Sequence, residues 1–162
     1  MSGLRILHAG ASLGGNYGIM EDCESSDSKW SGFGIQGKYN TIIRCKFNRN
    51  GDTGICGEGW GHRFINCETS YNNFLGMSSG WHAGGIKIIS RSKGFVFDGH
   101  LATYNTGDGI WFDSSNFDAI ITNCVSHHNT GNGIFYEIGE RAAITNNVCY
   151  ENGGRGVYLS NS

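Results

Sequence analysis

The 162-residue sequence predicts an all-β fold, a parallel β-helix solenoid of about six to seven coils with roughly 22–24 amino acids per coil. Three observations support this. A glycine-containing unit recurs with that period, short segments after each glycine alternate apolar and polar side chains, and the chain has 27 glycines but no proline. Proline cannot donate a backbone N–H to a neighbouring strand, so a chain built almost entirely of inner strands excludes it. We expect residues 1–162 to form one domain, with a loop insertion at about 73–84.

The repeated unit is an asparagine, a glycine four positions later, and then an apolar residue. Its copies are Asn50-Gly54-Ile55, Asn72-Gly76-Met77, Asn105-Gly109-Ile110, Asn129-Gly133-Ile134 and Asn152-Gly156-Val157, with a weaker copy at Ser28-Gly32-Phe33. The intervals between successive glycines are nearly equal except for the longer one from Gly76 to Gly109, which indicates an insertion in that coil. We place the strand of the coil at Gly85-Ile86, because the interval from Gly85 to Gly109 equals that from Gly109 to Gly133. The preceding loop then overhangs the sheet.

Short strand-like segments occur on both sides of each corner. Ile110-Trp111-Phe112 follows a repeat glycine, and Ile120-Ile121-Thr122 precedes the next asparagine. Segments of this length favour strands that pair with the equivalent strand one coil away, roughly 4.8 Å along the axis. Equivalent residues then stack, and two asparagine columns are predicted. One is Asn66, Asn123 and Asn146; the other, an asparagine ladder, is Asn50, Asn72, Asn105, Asn129 and Asn152.

The corner and core motifs resemble those of a known family. The segments that carry the resemblance are Asn105-Thr106-Gly107-Asp108-Gly109-Ile110, Asn129-Thr130-Gly131-Asn132-Gly133-Ile134 and Ile144-Thr145-Asn146-Asn147-Val148. Over about residues 20–162 the chain resembles the pectate-lyase-like superfamily of right-handed parallel β-helix proteins. The resemblance implies right-handed coils, as the usual parallel crossover does. It also implies activity on a polysaccharide at the outer face of one sheet, and an extracellular or periplasmic location.

Charge and hydropathy exclude two classes of partner. The chain has 12 Lys+Arg against 14 Asp+Glu, so it lacks the basic stripe of a nucleic-acid-binding protein. No apolar run approaches the ~20 residues of a membrane helix, and the N-terminus shows no signal peptide. Neither end carries an amphipathic cap. We therefore expect either a fragment of a longer β-helix or end-to-end association of copies through uncapped coils.

The cysteines and histidines have simple structural explanations. Cys23, Cys45 and Cys67 are evenly spaced, one per coil, and predict a buried stack, with a disulfide between neighbours as the alternative. No CxxC or HxxxH pair indicates zinc. We expect His127-His128 to lie in a solvated turn. His62 and His82 lie in glycine-rich stretches, where functional residues are more common than in cores.

The strand register predicts two outward-facing columns on one sheet. One contains Cys56, Lys87, Trp111, Phe135 and Tyr158; the other contains Glu58, Ile89, Asp113, Glu137 and Ser160. Trp111, Phe135 and Tyr158 would form an exposed aromatic ladder suited to the C–H faces of sugar rings. Trp81 and His82, on the overhanging loop, would close over this groove and contact substrate.

Three charged residues of these columns are the predicted catalytic groups. Asp113 and Glu137 would be stacked carboxylates, able to act as acid and base or, with Glu58, to hold Ca²⁺. Lys87 would either neutralise a substrate carboxylate or act as a base. We therefore expect a polysaccharide lyase, hydrolase or epimerase acting on an extended glycan. The alternatives are a non-catalytic glycan-binding or tailspike-like adhesion module and a structural spacer.

Overall fold

The structure is a computed structural model that describes residues 1–82 and 84–160, and all regular structure in these residues is β-strand. None of them forms a helix long and apolar enough to cross a membrane. Sheet I contains β2 (Ala11–Leu13), β5 (Phe33–Ile35), β7 (Ile55–Gly57), β10 (Gly84–Ile88), β13 (Asp108–Phe112), β16 (Ile134–Glu137) and β19 (Val157–Ser160). Sheet II contains β3 (Ile19–Glu21), β6 (Thr41–Ile43), β8 (Arg63–Ile65), β11 (Val96–Asp98), β14 (Ile120–Thr122) and β17 (Ala143–Thr145).

The third side of the coil is built in two parts, which we call sheet III. These are the pair β1 (Arg5–Leu7) and β4 (Glu24–Ser26) and the group β9 (Glu68–Ser70), β12 (Leu101–Thr103), β15 (Val125–His127) and β18 (Val148–Tyr150). Isolated bridges from Lys46 to Glu24 and to Glu68 connect the two parts. The strand pairings are parallel, and the chain visits sheets I, II and III in turn. The predicted all-β parallel solenoid is therefore confirmed.

Sheet I contains seven strands, one more than the repeat showed. The additional strand, β2, follows Gly10, which occupies the repeat glycine position of the first coil. Ile6 stands four positions before this glycine, where later coils have asparagine, so the motif is incomplete there. The predicted register at the insertion is confirmed, because Ile86 pairs with both Ile55 and Ile110.

The repeat glycines allow neighbouring coils to approach closely. A Cβ atom on Gly85 would lie 2.1 Å from the carbonyl oxygen of Gly109, and one on Gly133 would lie 2.5 Å from that of Gly156. Any side chain at these positions would therefore separate the coils. Inside the coil, isoleucines and phenylalanines stack; the Phe64 and Phe97 rings, for example, are 4.8 Å apart.

The two asparagine columns have different structures. In the buried column, the Asn105 side-chain oxygen accepts hydrogen bonds from the backbone and side-chain N–H groups of Asn72, both at 3.0 Å. The Asn105 amide donates in turn to the Thr69 carbonyl and to Asn129. In the other column, Asn66 and its equivalents have φ values of +52° to +55°. Their role is to adopt the left-handed conformation of a corner, which asparagine tolerates better than most residues.

The cysteine stack is buried and contains no disulfide. All six cysteines are free thiols, so the disulfide alternative is wrong. The thiol of each stacked cysteine lies near the carbonyl two residues earlier in the chain, as Cys45 does with Ile43 at 3.3 Å. His62 lies in the connection just before β8, but its side chain points into the core. It is fully buried, its Nδ1 accepts the Asn40 N–H at 3.1 Å, and burial lowers its pKa.

Candidate functional site

The outer face of sheet I has the predicted side-chain order. Lys87 pairs in register with Cys56 on one side and with Trp111 on the other. Trp111 pairs with Phe135, which pairs with Tyr158. Residues 74–82 leave the corner after sheet III and return over this face, where Trp81 contacts Lys87 and His82 lines the same cleft.

A cleft of about 350 Å³ lies between this segment and sheet I. Its lining includes Asp52, Cys56, His82, Lys87 and Asp113. A second cavity of about 420 Å³ shares Cys56 and Ile89 with the cleft and continues over the first coils to Ser12 and Gly14. The linings of the two cavities together include residues from five coils of sheet I, a length of about 19 Å at the spacing of parallel strands, and we call this surface the groove.

Lys87 is fixed by three groups at one end of this groove. Its ammonium nitrogen lies 3.2 Å from the Asp113 carboxylate, and it donates a hydrogen bond to the Trp81 carbonyl oxygen at 2.6 Å. The same nitrogen is 3.5 Å from the centre of the Trp111 ring, which is a close cation–π contact. Lys87 is only 8% exposed. The ammonium group thus keeps a fixed position at the cleft wall.

His82 and Asp52 form a second charged pair in the cleft. The His82 Nδ1 atom is 3.0 Å from both oxygens of the Asp52 carboxylate. This contact holds the ring in one orientation and assigns Nδ1 as the protonated nitrogen, which makes Nε2 the acceptor in the neutral ring. The sequence indicated His82 but not Asp52. One signal in the sequence could have indicated Asp52. It lies two residues before a repeat glycine, a position at which later coils have a glycine, namely Gly107, Gly131 and Gly154.

The aromatic ladder is formed, but its first ring is not exposed. Trp111 and Phe135 stack at 5.4 Å, and Phe135 and Tyr158 stack at 4.8 Å. The expectation that Trp111 lies open to sugar is wrong, because its side chain is 4% exposed with Lys87 over one face and Phe135 beside it. Phe135 and Tyr158 are half-buried, and the Arg155 guanidinium lies 4.3 Å from the Tyr158 ring centre.

The predicted carboxylate cluster is not formed. Among residues 1–82 and 84–160, no three histidine, cysteine, aspartate or glutamate side chains are close enough to hold a metal ion. Glu58 is two coils from Asp113, and Ile89 stands between them in the column. Asp113 is bound to Lys87, and Glu137 lies one coil further along, outside the cleft lining. The prediction that Glu58, Asp113 and Glu137 form a calcium site is therefore wrong, because these three carboxylates do not come together.

Comparison with known proteins agrees with this architecture. A family model described as the right handed beta helix region matches residues 9–162. Pectate lyase L of Thermoclostridium stercorarium is 30% identical over 153 residues, which are 89% of this chain and 11% of that protein. The crystal structure of pectate lyase Pel9A superposes with a TM-score of 0.64 at 23% identity, over 84% of this chain and 37% of that one.

The chain thus spans about a tenth of the curated relative and little more than a third of the structural neighbour. The structural match, at 23% identity, shows the fold. The family model covers nearly the whole chain, and the structure is a stack of parallel strands in three sheets. The chain belongs to the right-handed β-helix family, and its coils are those of a pectate-lyase-like parallel β-helix.

Proposed function

We propose that this chain binds an acidic polysaccharide in the sheet I groove and cleaves it by β-elimination. The observation that carries the proposal is the position of Lys87, a nearly buried cation at the wall of an elongated groove, beside the oriented imidazole of His82. The names of the relatives agree, since both are pectate lyases and pectate is a polymer of uronate sugars.

Lys87 is proposed to bind the uronate carboxylate. Its ammonium donates to the Trp81 carbonyl oxygen and pairs with Asp113, so the uronate carboxylate would share this cation with Asp113 from the cleft, which both side chains line. A cation at this carboxylate makes the neighbouring C–H more acidic, since it stabilises the negative charge that develops when the proton leaves. Asp113 acts as a positioning residue, because its contact is with Lys87 and it keeps that side chain in place.

His82 is proposed to take the proton from the carbon next to the carboxyl group. The imidazole Nε2 accepts the proton, and the C–H electron pair forms a carbon–carbon double bond. The bond to the glycosidic oxygen on the adjacent carbon then breaks with its electrons on that oxygen, which water protonates. Asp52 is a positioning residue that orients the ring and stabilises the imidazolium once it forms. The products are an unsaturated uronate and a shortened glycan.

The proposal is tested by recording near-ultraviolet absorbance while the chain acts on polygalacturonate, alginate and glycosaminoglycans. We expect a rise in absorbance with one of these polymers, because the new double bond is conjugated with the carboxylate. The rise should be lost in Lys87→Gln and retained in Lys46→Gln, which changes an exposed lysine on sheet III. Absence of the signal with every polyuronate, or equal loss in both variants, would contradict the proposal.

A non-catalytic glycan-binding module is the second candidate. The observation in its favour is the half-buried Phe135–Tyr158 stack, which continues the groove face beyond the cleft. On this hypothesis Phe135→Ala weakens binding of the polymer, while Lys87→Gln and His82→Gln leave it unchanged. Isothermal titration with an oligouronate separates the two candidates.

A further inference from the structure

A second group of exposed aromatic side chains lies at the corner after sheet III, away from the Lys87 cleft. Tyr71 and Tyr104 occupy equivalent positions of consecutive coils and stack at 5.0 Å with only 3° between their planes. Tyr71 is 54% exposed and Phe74, three residues later, is 58% exposed. A contiguous exposed apolar surface marks a binding site more often than scattered single residues do.

These rings border an open hollow of about 490 Å³. It is lined by Asp27, Arg49, Tyr71 and Phe74. Tyr104 covers one face of Tyr71, and the hollow lies on the side of the preceding coil, where Arg49 occupies the equivalent position. Phe74 is held there because the N–H of the adjacent Asn73 donates to the Asn50 carbonyl at 2.8 Å. The backbone that carries Phe74 is therefore anchored to the preceding coil.

The polar wall of the hollow is a rigid ion pair. The Arg49 Nε and Nη2 atoms donate to the two carboxylate oxygens of Asp27 at 2.8 and 2.9 Å. Glu24 lies 3.6 Å from the same guanidinium and 3.0 Å from the guanidinium of Arg5. Two carboxylates thus face two guanidinium groups, and both cations are already paired, so the wall has no unpaired positive charge for a phosphate, a sulfate or a uronate. It does offer carboxylate oxygens and N–H groups at fixed positions, which suit neutral hydroxyl groups.

We propose that this corner is a second saccharide-binding site that takes uncharged pyranose units, with C–H faces against Tyr71 and Phe74 and hydroxyls hydrogen-bonded to Asp27 and Arg49. An aromatic floor beside charged hydrogen-bonding groups is the usual arrangement for a sugar ring, because the ring has an apolar face and a polar edge. The site stands on its own geometry and does not depend on cleavage in the groove. It would anchor a neutral part of the glycan while the sheet I groove takes an acidic part.

The test is isothermal titration of the chain with uncharged hexasaccharides of glucose, mannose, galactose and xylose, with oligogalacturonate for comparison. We expect at least one neutral hexasaccharide to bind, and Tyr71→Ala or Phe74→Ala to weaken it about tenfold. Tyr71→Phe should bind like the parent, because the ring is kept; it also shows that a loss in Tyr71→Ala comes from the ring and not from misfolding.

Tyr17→Ala is the matched control, since Tyr17 is an exposed tyrosine stacked on Tyr39 at 5.4 Å at a different corner, between sheets I and II. Equal weakening by Tyr17→Ala and Tyr71→Ala would overturn the proposal, and so would failure of all neutral hexasaccharides to bind. A dimer in light scattering that Tyr71→Ala converts to monomer would instead assign the patch to a protein interface. Cleavage of polyuronate by Tyr71→Ala is measured separately, so failure at this corner leaves the groove proposal intact.

Discussion

Two regions of the molecule carry similar lysine–carboxylate and histidine–carboxylate pairs, but the two regions differ in how these pairs are enclosed by the protein. The groove has Lys87 with Asp113 at 3.2 Å and His82 with Asp52 at 3.0 Å. Sheet III has Lys46 with Glu68 at 3.5 Å, and the corner after it has His128 with Glu151 at 2.9 Å. The distances are nearly equal, so proximity alone does not distinguish a reactive group from a surface ion pair.

Burial of the lysine pairs, burial of the carboxylate in the histidine pairs and convergence on one cleft distinguish the two regions, although the two imidazoles are almost equally exposed, at 33% and 35%. The Lys87 and Asp113 side chains are 10% and 15% exposed, whereas those of Lys46 and Glu68 are 60% and 25% exposed. Water screens the exposed pair and leaves it worth little, but it screens the groove pair much less. The groove pairs also line one cleft, so a single substrate can contact both. The sheet III pairs therefore serve as controls for the groove pairs.

The largest expected effect is on catalysis, when the histidine of each region is replaced in turn. We expect His82→Gln to lower kcat for polyuronate cleavage about 1000-fold, because the glutamine amide cannot accept the proton that a general base removes. His128→Gln should leave kcat unchanged, because His128 lies outside the groove. Initial rates at saturating substrate, measured by near-ultraviolet absorbance, check both variants.

A comparable loss of kcat in the two histidine variants would show that the difference between the regions does not matter for the reaction. Full activity in His82→Gln would mean that another group of the cleft acts as the base. In that case Lys87, the alternative base in the sequence analysis, becomes the residue to examine.

Much of the fold was predictable from sequence because the coil stacks equivalent positions. The equal glycine intervals fixed Gly85 as the start of the strand after the insertion, and the order of Lys87, Trp111 and Phe135 on the outer face followed from it. The first coil has no complete copy of the repeated motif, because Ile6 occupies its asparagine position. Columns are predictable since each depends on a repeated local pattern.

The site was only partly predictable, because it depends on a segment that does not repeat. The insertion places the Trp81 carbonyl against Lys87 and His82 against Asp52. The path of such a loop cannot be predicted from the repeat, because the insertion occurs only once. Trp111 is buried although its column faces outward, because Lys87 lies over its ring and Phe135 stacks beside it. The column to which a residue belongs predicts the face of the sheet on which its side chain lies, but it does not predict how much of that side chain is exposed.

A smaller effect is expected on stability when each lysine is replaced by methionine. Lys87→Met leaves the mostly buried Asp113 carboxylate without its cation, and we expect the free energy of unfolding to fall by about 2 kcal/mol. Lys46→Met should change it by less than about 1 kcal/mol, as is usual for exposed pairs. Urea unfolding followed by circular dichroism measures both, and equal losses would mean that burial of the Lys87 pair has no energetic consequence.

The smallest expected effect is that of calcium. Tight calcium sites use six to eight oxygen ligands, and Asp113 is already bound to Lys87 while Glu58 is two coils away. We therefore expect millimolar Ca²⁺ to shift the melting temperature by less than about 1 °C, since a ligand stabilises the folded state only when its concentration exceeds the dissociation constant. A larger increase that Asp113→Asn abolishes would contradict this expectation and restore the carboxylate to a metal-binding role. The same increase in Asp113→Asn would assign the ion to acidic residues elsewhere on the surface.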